Sequence, residues 1–159
     1  MKQVVTVQGT YVWINPTSVS AFDIRMLAGN APFEVVSANE LHCTIMYSTD
    51  AQNYRHLLDN LSKSIIRANI VDCVEWLDNN ESSYIVLLLD SQPLLNLHSK
   101  WSNLGLTHSY PKFTPHISIG AKIIPSKTVA SYVAQLSKRI KEFPITITLQ
   151  NEGLDFLKS

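Results

Sequence analysis

Two short segments of the sequence share one pattern and constrain the fold most strongly. They read LHCTI at 41–45 and PHISI at 115–119, so each is His-x-Thr/Ser between apolar residues. Each follows an apolar strand pattern and then a helical one, at nearly equal spacing: Val12 precedes His42 by 30 residues, and Leu87 precedes His116 by 29. This duplication predicts two strand–helix–strand units that pair about a pseudo-twofold axis and bring the two histidine strands together.

Strand and helix patterns alternate along the rest of the chain. Capping residues, proline positions and apolar spacing predict helices at 17–27, 93–105 and 126–142. A further short helix is expected within 51–67, on the spacing of its leucines and isoleucines. Runs of β-branched and apolar residues predict strands at 4–14, 41–47, 70–77, 84–90 and 115–120, and a final pair at 145–150 and 153–157.

Composition narrows the class of protein. The 159 residues suit one domain, 1–159, built from two interleaved lobes, and 45% of them are hydrophobic. Thirteen basic residues balance thirteen acidic ones, which disfavours long nucleic acid as a partner. Cys43 and Cys73 are the only cysteines, and no apolar run suggests a signal or a membrane span. We therefore expect a soluble, cytoplasmic protein with no membrane partner.

The motif residues carry the chemistry of metal-free phosphodiester cleavage. Residues two apart on a strand face the same side, so His42 lies with Thr44 and His116 with Ser118. One neutral imidazole can take a proton while the other, protonated, delivers one, because the ordinary histidine pKa is about 6.5. The hydroxyls can donate to non-bridging phosphate oxygens. These four residues are the predicted catalytic centre, with no metal and no cofactor. Either histidine can be the base.

With these motifs the sequence resembles the 2H phosphoesterase superfamily. It is most similar to the bacteriophage anti-CBASS phosphodiesterases, through blocks at 9–12, 42–48, 112–118 and 151–155. The resemblance implies an α+β, bilobal, pseudo-twofold fold in which two mainly antiparallel sheets form a central cleft flanked by helices. It implies hydrolysis of 3′–5′ linkages in cyclic di- and trinucleotides such as cyclic GMP-AMP, which lets a phage evade CBASS immunity in its bacterial host.

The same resemblance implies a set of ligand contacts. Tyr11 would line the pocket, Trp76 would stack on a base and Glu152 would contact adenine. The first strand has no lysine after Lys2, so Lys112 is the candidate for a phosphate contact. From the residues alone, Tyr11 and Trp76 are equally well explained as core side chains, and Glu152 as a solvated one.

Other interpretations compete with this one. The chain could be a 2H enzyme acting on linear RNA ends or on 2′–5′ oligoadenylates, or a non-catalytic sponge for cyclic nucleotides. The paired motifs disfavour a sponge, because binding alone needs no proton-transfer groups. The remaining histidines, His56, His98 and His108, are expected to be surface or packing residues.

Overall fold

The structure, a computed structural model, describes residues 7–49, 55–78, 81–110 and 112–158. Its elements run in the order β1 (Val7–Pro16), α1 (Ser18–Ala28), β2 (Cys43–Ser48), a 3₁₀ helix (Arg55–Asn60), β3 (Ile66–Leu77), β4 (Ser83–Asp90), α2 (Gln92–Asn103), β5 (His116–Ile123), α3 (Lys127–Glu142) and β6 (Ile145–Lys158). This is the α+β class that the sequence predicts.

Local chemistry accounts for the helix ends. Thr17, Ser91 and Ser126 precede α1, α2 and α3, and each side-chain oxygen accepts a hydrogen bond from a backbone N–H in the first turn. Helix α1 ends at Gly29, whose φ of 58° lies in the left-handed region that glycine adopts readily. These three helices match their predicted positions within a few residues.

The strands form a closed antiparallel barrel in the order β1-β2-β5-β4-β3-β6. This order reads symmetrically from the β2/β5 junction, since β1 and β4 flank it and β6 and β3 lie beyond them. The predicted repeats, β1-α1-β2 and β4-α2-β5, therefore occupy equivalent positions. The two expected sheets are the halves of this barrel, joined where β2 meets β5 and where β3 meets β6.

Two predicted elements differ from the structure. The expected pair of C-terminal strands is one strand, β6, whose residues 145–149 pair with β3 and whose residues 149–158 pair with β1. Asn151, at φ 61°, bends it without breaking it. The helix expected within 51–67 is a 3₁₀ helix over Arg55–Asn60, and Ile66 already belongs to β3, where it pairs with Leu149. Part of that segment, 50–54, lies outside the described residues, as do residues 4–6 of the first predicted strand.

Candidate active site

The two halves of the barrel meet at one registered pair, Cys43 of β2 opposite Ile117 of β5. Both side chains are completely buried. Burial raises the pKa of the Cys43 thiol to about 12, so it stays protonated and serves as a small apolar group beneath the junction. The junction thus has an apolar inner face, and its outer face carries the motif residues.

On that outer face the two motifs interleave. The antiparallel register puts Thr44 across from His116 and His42 across from Ser118, one residue to either side of the buried pair. All four side chains are partly exposed, whereas their strand neighbours are buried. Each histidine consequently lies beside the hydroxyl of the other motif, and the predicted grouping of the four side chains is present.

The two motif histidines share one hydrogen-bond geometry. Nδ1 of His42 lies 2.8 Å from the carbonyl oxygen of Glu40, and Nδ1 of His116 lies 2.8 Å from that of Thr114. A carbonyl only accepts, so Nδ1 carries the proton in both rings. Nε2 then holds the lone pair when the ring is neutral and a transferable proton when it is charged. Both rings are therefore set up for proton transfer through Nε2.

His116 lies in the more apolar environment. Burial lowers the pKa of His116, and charge on His42 lowers it further, while the hydrogen bond to Thr114 raises it. Trp76 covers the ring, with centroids 4.5 Å apart at 66°. The neutral form of His116 is favoured at neutral pH.

A cavity of about 620 Å³ opens beside the motifs, a size that suits a nucleotide-sized ligand. Aromatic side chains dominate its wall, with a lysine and the motif hydroxyls among them. The lining residues are Tyr11, Thr44, Tyr47, Trp76, Leu77, Asp78, Tyr84, Val86, His108, Tyr110, Lys112, Phe113, Thr114, His116 and Ser118.

Tyr11 joins the cavity to His42, which is not itself among the lining residues. The ring of Tyr11 meets that of His42 nearly at a right angle, with centroids 6.2 Å apart, and its hydroxyl lies 3.3 Å from Oγ1 of Thr44. Behind it, Trp13 stacks on Tyr11 at 5.2 Å. Trp13 lies so close to β6 that a Cβ at Gly153 would come within 2.5 Å of its ring. Gly153 therefore leaves room for Trp13, which stacks on Tyr11 and positions it.

Two other predicted ligand contacts, Trp76 and Lys112, also lie in the cavity wall. Trp76 is 36% exposed, so it is a rim residue rather than a core one. Its indole contacts His116 on one side and borders open cavity on another. Lys112 is exposed and contributes positive charge near the second motif.

Glu152 does not reach the cavity, contrary to the predicted contact with adenine. Its carboxylate is fully buried. Oε1 accepts from Lys100 Nζ at 2.7 Å and from the backbone N–H of Ser62 at 2.8 Å, and Oε2 accepts from Nε1 of Trp101 at 2.9 Å. Both oxygens are therefore committed to donors of the protein, and the interpretation of Glu152 as a solvated side chain is also wrong.

Among the lining residues that sequence reasoning did not single out, Tyr47, His108 and Tyr110 lie together. Tyr47 and Tyr110 form an aromatic pair with centroids 6.0 Å apart, and His108 lies 5.6 Å from Tyr110. Tyr47 lies within the block at 42–48 that carries the first motif, which was a usable signal. His108 and Tyr110 follow α2 in a segment without periodicity, so no pattern marks them. The expectation that His108 is only a surface or packing residue is too narrow, since it lines the cavity. For His56 the side chain lies outside the described part.

Two further features of the described residues bear on function. No three side chains of His, Cys, Asp or Glu among them come together in a way that could hold a metal ion. Of the helices in the described part, none has the length and apolar character that a membrane span requires.

Comparison with known proteins gives the relationship. A family model described as "Anti-CBASS protein Acb1" matches residues 8–158. Curated protein sequences gave no match. A crystal structure of a phosphoesterase superposes with a TM-score of 0.57 at 15% identity, covering 96% of this chain and 95% of that one. Escherichia coli LigT complexed with 3′-AMP superposes with a TM-score of 0.51 at 16% identity, covering 96% of both chains. These likenesses establish the fold of the 2H phosphoesterases.

Proposed function

The chain belongs to the anti-CBASS Acb1 family and has the fold of the 2H phosphoesterases, and from this premise we propose that it hydrolyses 3′–5′ linkages of cyclic di- and trinucleotide immune signals, such as cyclic GMP-AMP. The observation that carries the proposal is the interleaving of His42, Thr44, His116 and Ser118 on one face beside a nucleotide-sized cavity. Two proton-transfer groups and two hydroxyl donors are what metal-free cleavage of a phosphodiester needs.

In the proposed mechanism His116 is the general base. The lowered pKa of His116 keeps its Nε2 unprotonated near neutrality, so it can take the proton of the attacking hydroxyl. That oxygen, from the ribose 2′-hydroxyl or from water, bonds to phosphorus as the bond to the 5′-oxygen breaks. His42 donates its Nε2 proton to the leaving 5′-oxygen. Thr44 and Ser118 donate to the non-bridging oxygens, where negative charge builds up.

The cavity wall supports nucleotide binding. Trp76 and Tyr11 both line the cavity with aromatic rings, and an aromatic face contributes about 1–3 kcal/mol per stacked base. Lys112 adds a positive charge for a phosphate. The proposed consequence is removal of the signal that activates CBASS, in the cytoplasm of an infected bacterium.

The decisive experiment is mass analysis of products from cyclic GMP-AMP, with a linear 2′–5′ adenylate trimer as the competing substrate. Cleavage of the cyclic compound to linear products is expected, and activity should persist in excess EDTA. A 2′,3′-cyclic phosphate intermediate would identify the 2′-hydroxyl as the nucleophile. Ligand returned intact would identify a sponge, and preference for the trimer would favour the alternative substrate class.

Substitution of the motif histidines tests the centre itself. His42→Ala and His116→Ala should each lower turnover by about 10²–10⁴-fold, the usual contribution of a general acid or base, while ligand binding persists. If either variant turned over at near the wild-type rate, or if chelation abolished activity and added metal restored it, the proposed mechanism would be wrong.

A further inference from the structure

His108, a histidine outside the two motifs, lines the cavity and makes a different hydrogen bond from His42 and His116. Its Nδ1 lies 3.2 Å from the backbone nitrogen of Tyr47, a β2 residue. A backbone N–H can only donate, so Nδ1 of His108 must accept and cannot carry a proton. The proton of the neutral ring is therefore on Nε2. This is the opposite tautomer from the one that carbonyl oxygens impose on His42 and His116.

The surroundings of His108 hold the ring in place and keep it neutral. Its ring meets those of His98 and Phe113 nearly at right angles, with centroids 5.0 and 6.0 Å away. His98 is itself fixed, because it stacks on Phe113 at 4.1 Å and its Nδ1 lies 2.7 Å from the carbonyl oxygen of Ile45. Burial lowers the pKa of His108, and charge on His98 lowers it further. Protonation would also place an N–H against the N–H of Tyr47.

These constraints define what His108 can do. With the lone pair of Nδ1 used by Tyr47, the ring has no free basic nitrogen, and being neutral it has no readily released proton. What remains is an N–H donor at Nε2, and among the described residues no hydrogen bond involves that atom. A fixed neutral donor in the wall of an aromatic cavity suits recognition of an acceptor.

We propose that His108 is a substrate-binding residue that donates its Nε2–H to an acceptor atom of the cyclic nucleotide and takes no part in proton transfer. This inference rests on the proposed function, since it concerns the ligand of the same cavity. The acceptor is a phosphate oxygen, which Lys112 in the same wall would also attract, or a carbonyl oxygen of a base packed near Tyr110. Both sources present the same chemistry to the donor.

Two substitutions of His108 separate its hydrogen bond with Tyr47 from the proposed hydrogen bond to the ligand. In His108→Asn the amide oxygen can still accept from Tyr47, but nothing reaches the position of Nε2. In His108→Gln the amide nitrogen reaches that position and restores a donor. We expect His108→Asn to raise KM and the Kd of a non-hydrolysable phosphorothioate analogue about tenfold, the effect of one ligand hydrogen bond, with kcat little changed. His108→Gln should recover much of the affinity.

Base-matched ligands distinguish the two acceptors. An equal loss for cyclic di-GMP, cyclic GMP-AMP and cyclic di-AMP indicates a phosphate oxygen. A loss that grows with the number of guanines indicates the guanine carbonyl, because adenine presents an amine at that position. Either result supports the donor.

Two further measurements test whether His108 acts only as a donor. The pH–rate profile of His108→Asn should keep its midpoints, and nitrogen-15 NMR of the unsubstituted protein should find the proton of His108 on Nε2. An unchanged KM and Kd in a folded His108→Asn variant, a shifted pH midpoint, or a proton on Nδ1 would overturn it. Wild-type turnover is measured alongside: without it the proposed function fails and this inference falls with it, whereas wild-type turnover combined with an unchanged KM and Kd in His108→Asn refutes this inference alone.

Discussion

His42 and His116 make the same hydrogen bond two residues upstream, yet they differ in their surroundings. Trp76 covers the imidazole of His116, whereas the ring beside His42 is that of Tyr11, whose hydroxyl lies near Thr44. The two copies of the motif therefore have different environments, because different residues pack against their histidines. In the proposed mechanism, that asymmetry lets His116 act as base while His42 acts as acid.

The pH dependence of activity should report the burial of His116. A general base must be neutral, and a lowered pKa keeps His116 neutral to more acidic pH. The acid limb of kcat/KM should therefore have its midpoint below the ordinary histidine value of about 6.5. The stability of the fold should depend on pH in the same direction. The unfolded chain binds the His116 proton more readily than the folded one, so stability falls as the pH drops below about 6.5. An acid midpoint above it would contradict the assignment of His116 as base.

Trp76 should affect both affinity and that midpoint. Trp76→Ala removes a stacking face and should weaken cyclic dinucleotide binding by about 5- to 150-fold, corresponding to about 1–3 kcal/mol. It should also open His116 to water, which raises the pKa of His116 and moves the acid limb upward. Melting should change little, since Trp76 lies at the rim, and Trp76→Phe should retain most of the affinity. A large drop in melting temperature with unchanged affinity would instead make Trp76 a structural residue.

The sequence predicted that the four motif side chains lie together, but it did not predict their environments. Alternation along a strand was enough to group His42 with Thr44 and His116 with Ser118, because that grouping depends only on neighbours in the chain. The cover over His116 comes from β3, which precedes β5 by a strand and a helix. The anchoring of His108 by Tyr47 is similarly remote in sequence. Such contacts depend on tertiary packing, which one-dimensional patterns do not contain.

Among the contacts between elements, Glu152 is a case in which tertiary packing makes the prediction from sequence wrong. From the sequence, Glu152 in the C-terminal segment was expected to contact the ligand. Its carboxylate instead accepts hydrogen bonds that link β6 to α2 and to the segment before β3. Lys100 strengthens that junction, since its Nζ also donates to the carbonyl oxygen of Asn60 at 2.7 Å. A buried carboxylate with three protein donors is a structural group, and its removal should be felt in stability.

Glu152→Ala should lower the free energy of unfolding by about 2–4 kcal/mol, because the buried indole N–H of Trp101 costs about 1–3 kcal/mol when left unpaired and the part-buried N–H of Ser62 adds a smaller loss. Lys100 is partly exposed and can turn to water, so its charge adds little to this loss. Glu152→Gln, which keeps an acceptor oxygen, should be milder. Denaturant unfolding measures both. Preference among cyclic di-GMP, cyclic di-AMP and cyclic GMP-AMP should not change, and a selective loss of adenine-containing ligands would restore the original prediction.

Over the whole molecule, the proposed active site lies where the two halves of the barrel share the fewest registered pairs. β2 and β5 share one registered pair, whereas β3 and β6, at the other junction, share five. The relative placement of the two motifs therefore depends on how Cys43 and Ile117 pack beneath them. Interleaved catalytic groups are sensitive to such placement, since a displacement of about 1 Å can cost about 10²-fold in rate.

Two substitutions that should be equally destabilising are therefore expected to differ in their effect on kcat. Ile117 lies beneath the junction and Ile140 lies on α3, which packs on β3, and both are at most 1% exposed. Truncation of either to alanine should cost about 2–5 kcal/mol of stability, from lost burial and the cavity left behind. Ile117→Ala should also lower kcat, because β2 and β5 can shift against each other, whereas Ile140→Ala should leave kcat close to wild type. Rates measured well below both melting temperatures, with the folded fraction checked by circular dichroism, make the comparison. Equal kcat values would mean that the rest of the barrel, rather than the β2/β5 junction, holds the two motifs in register.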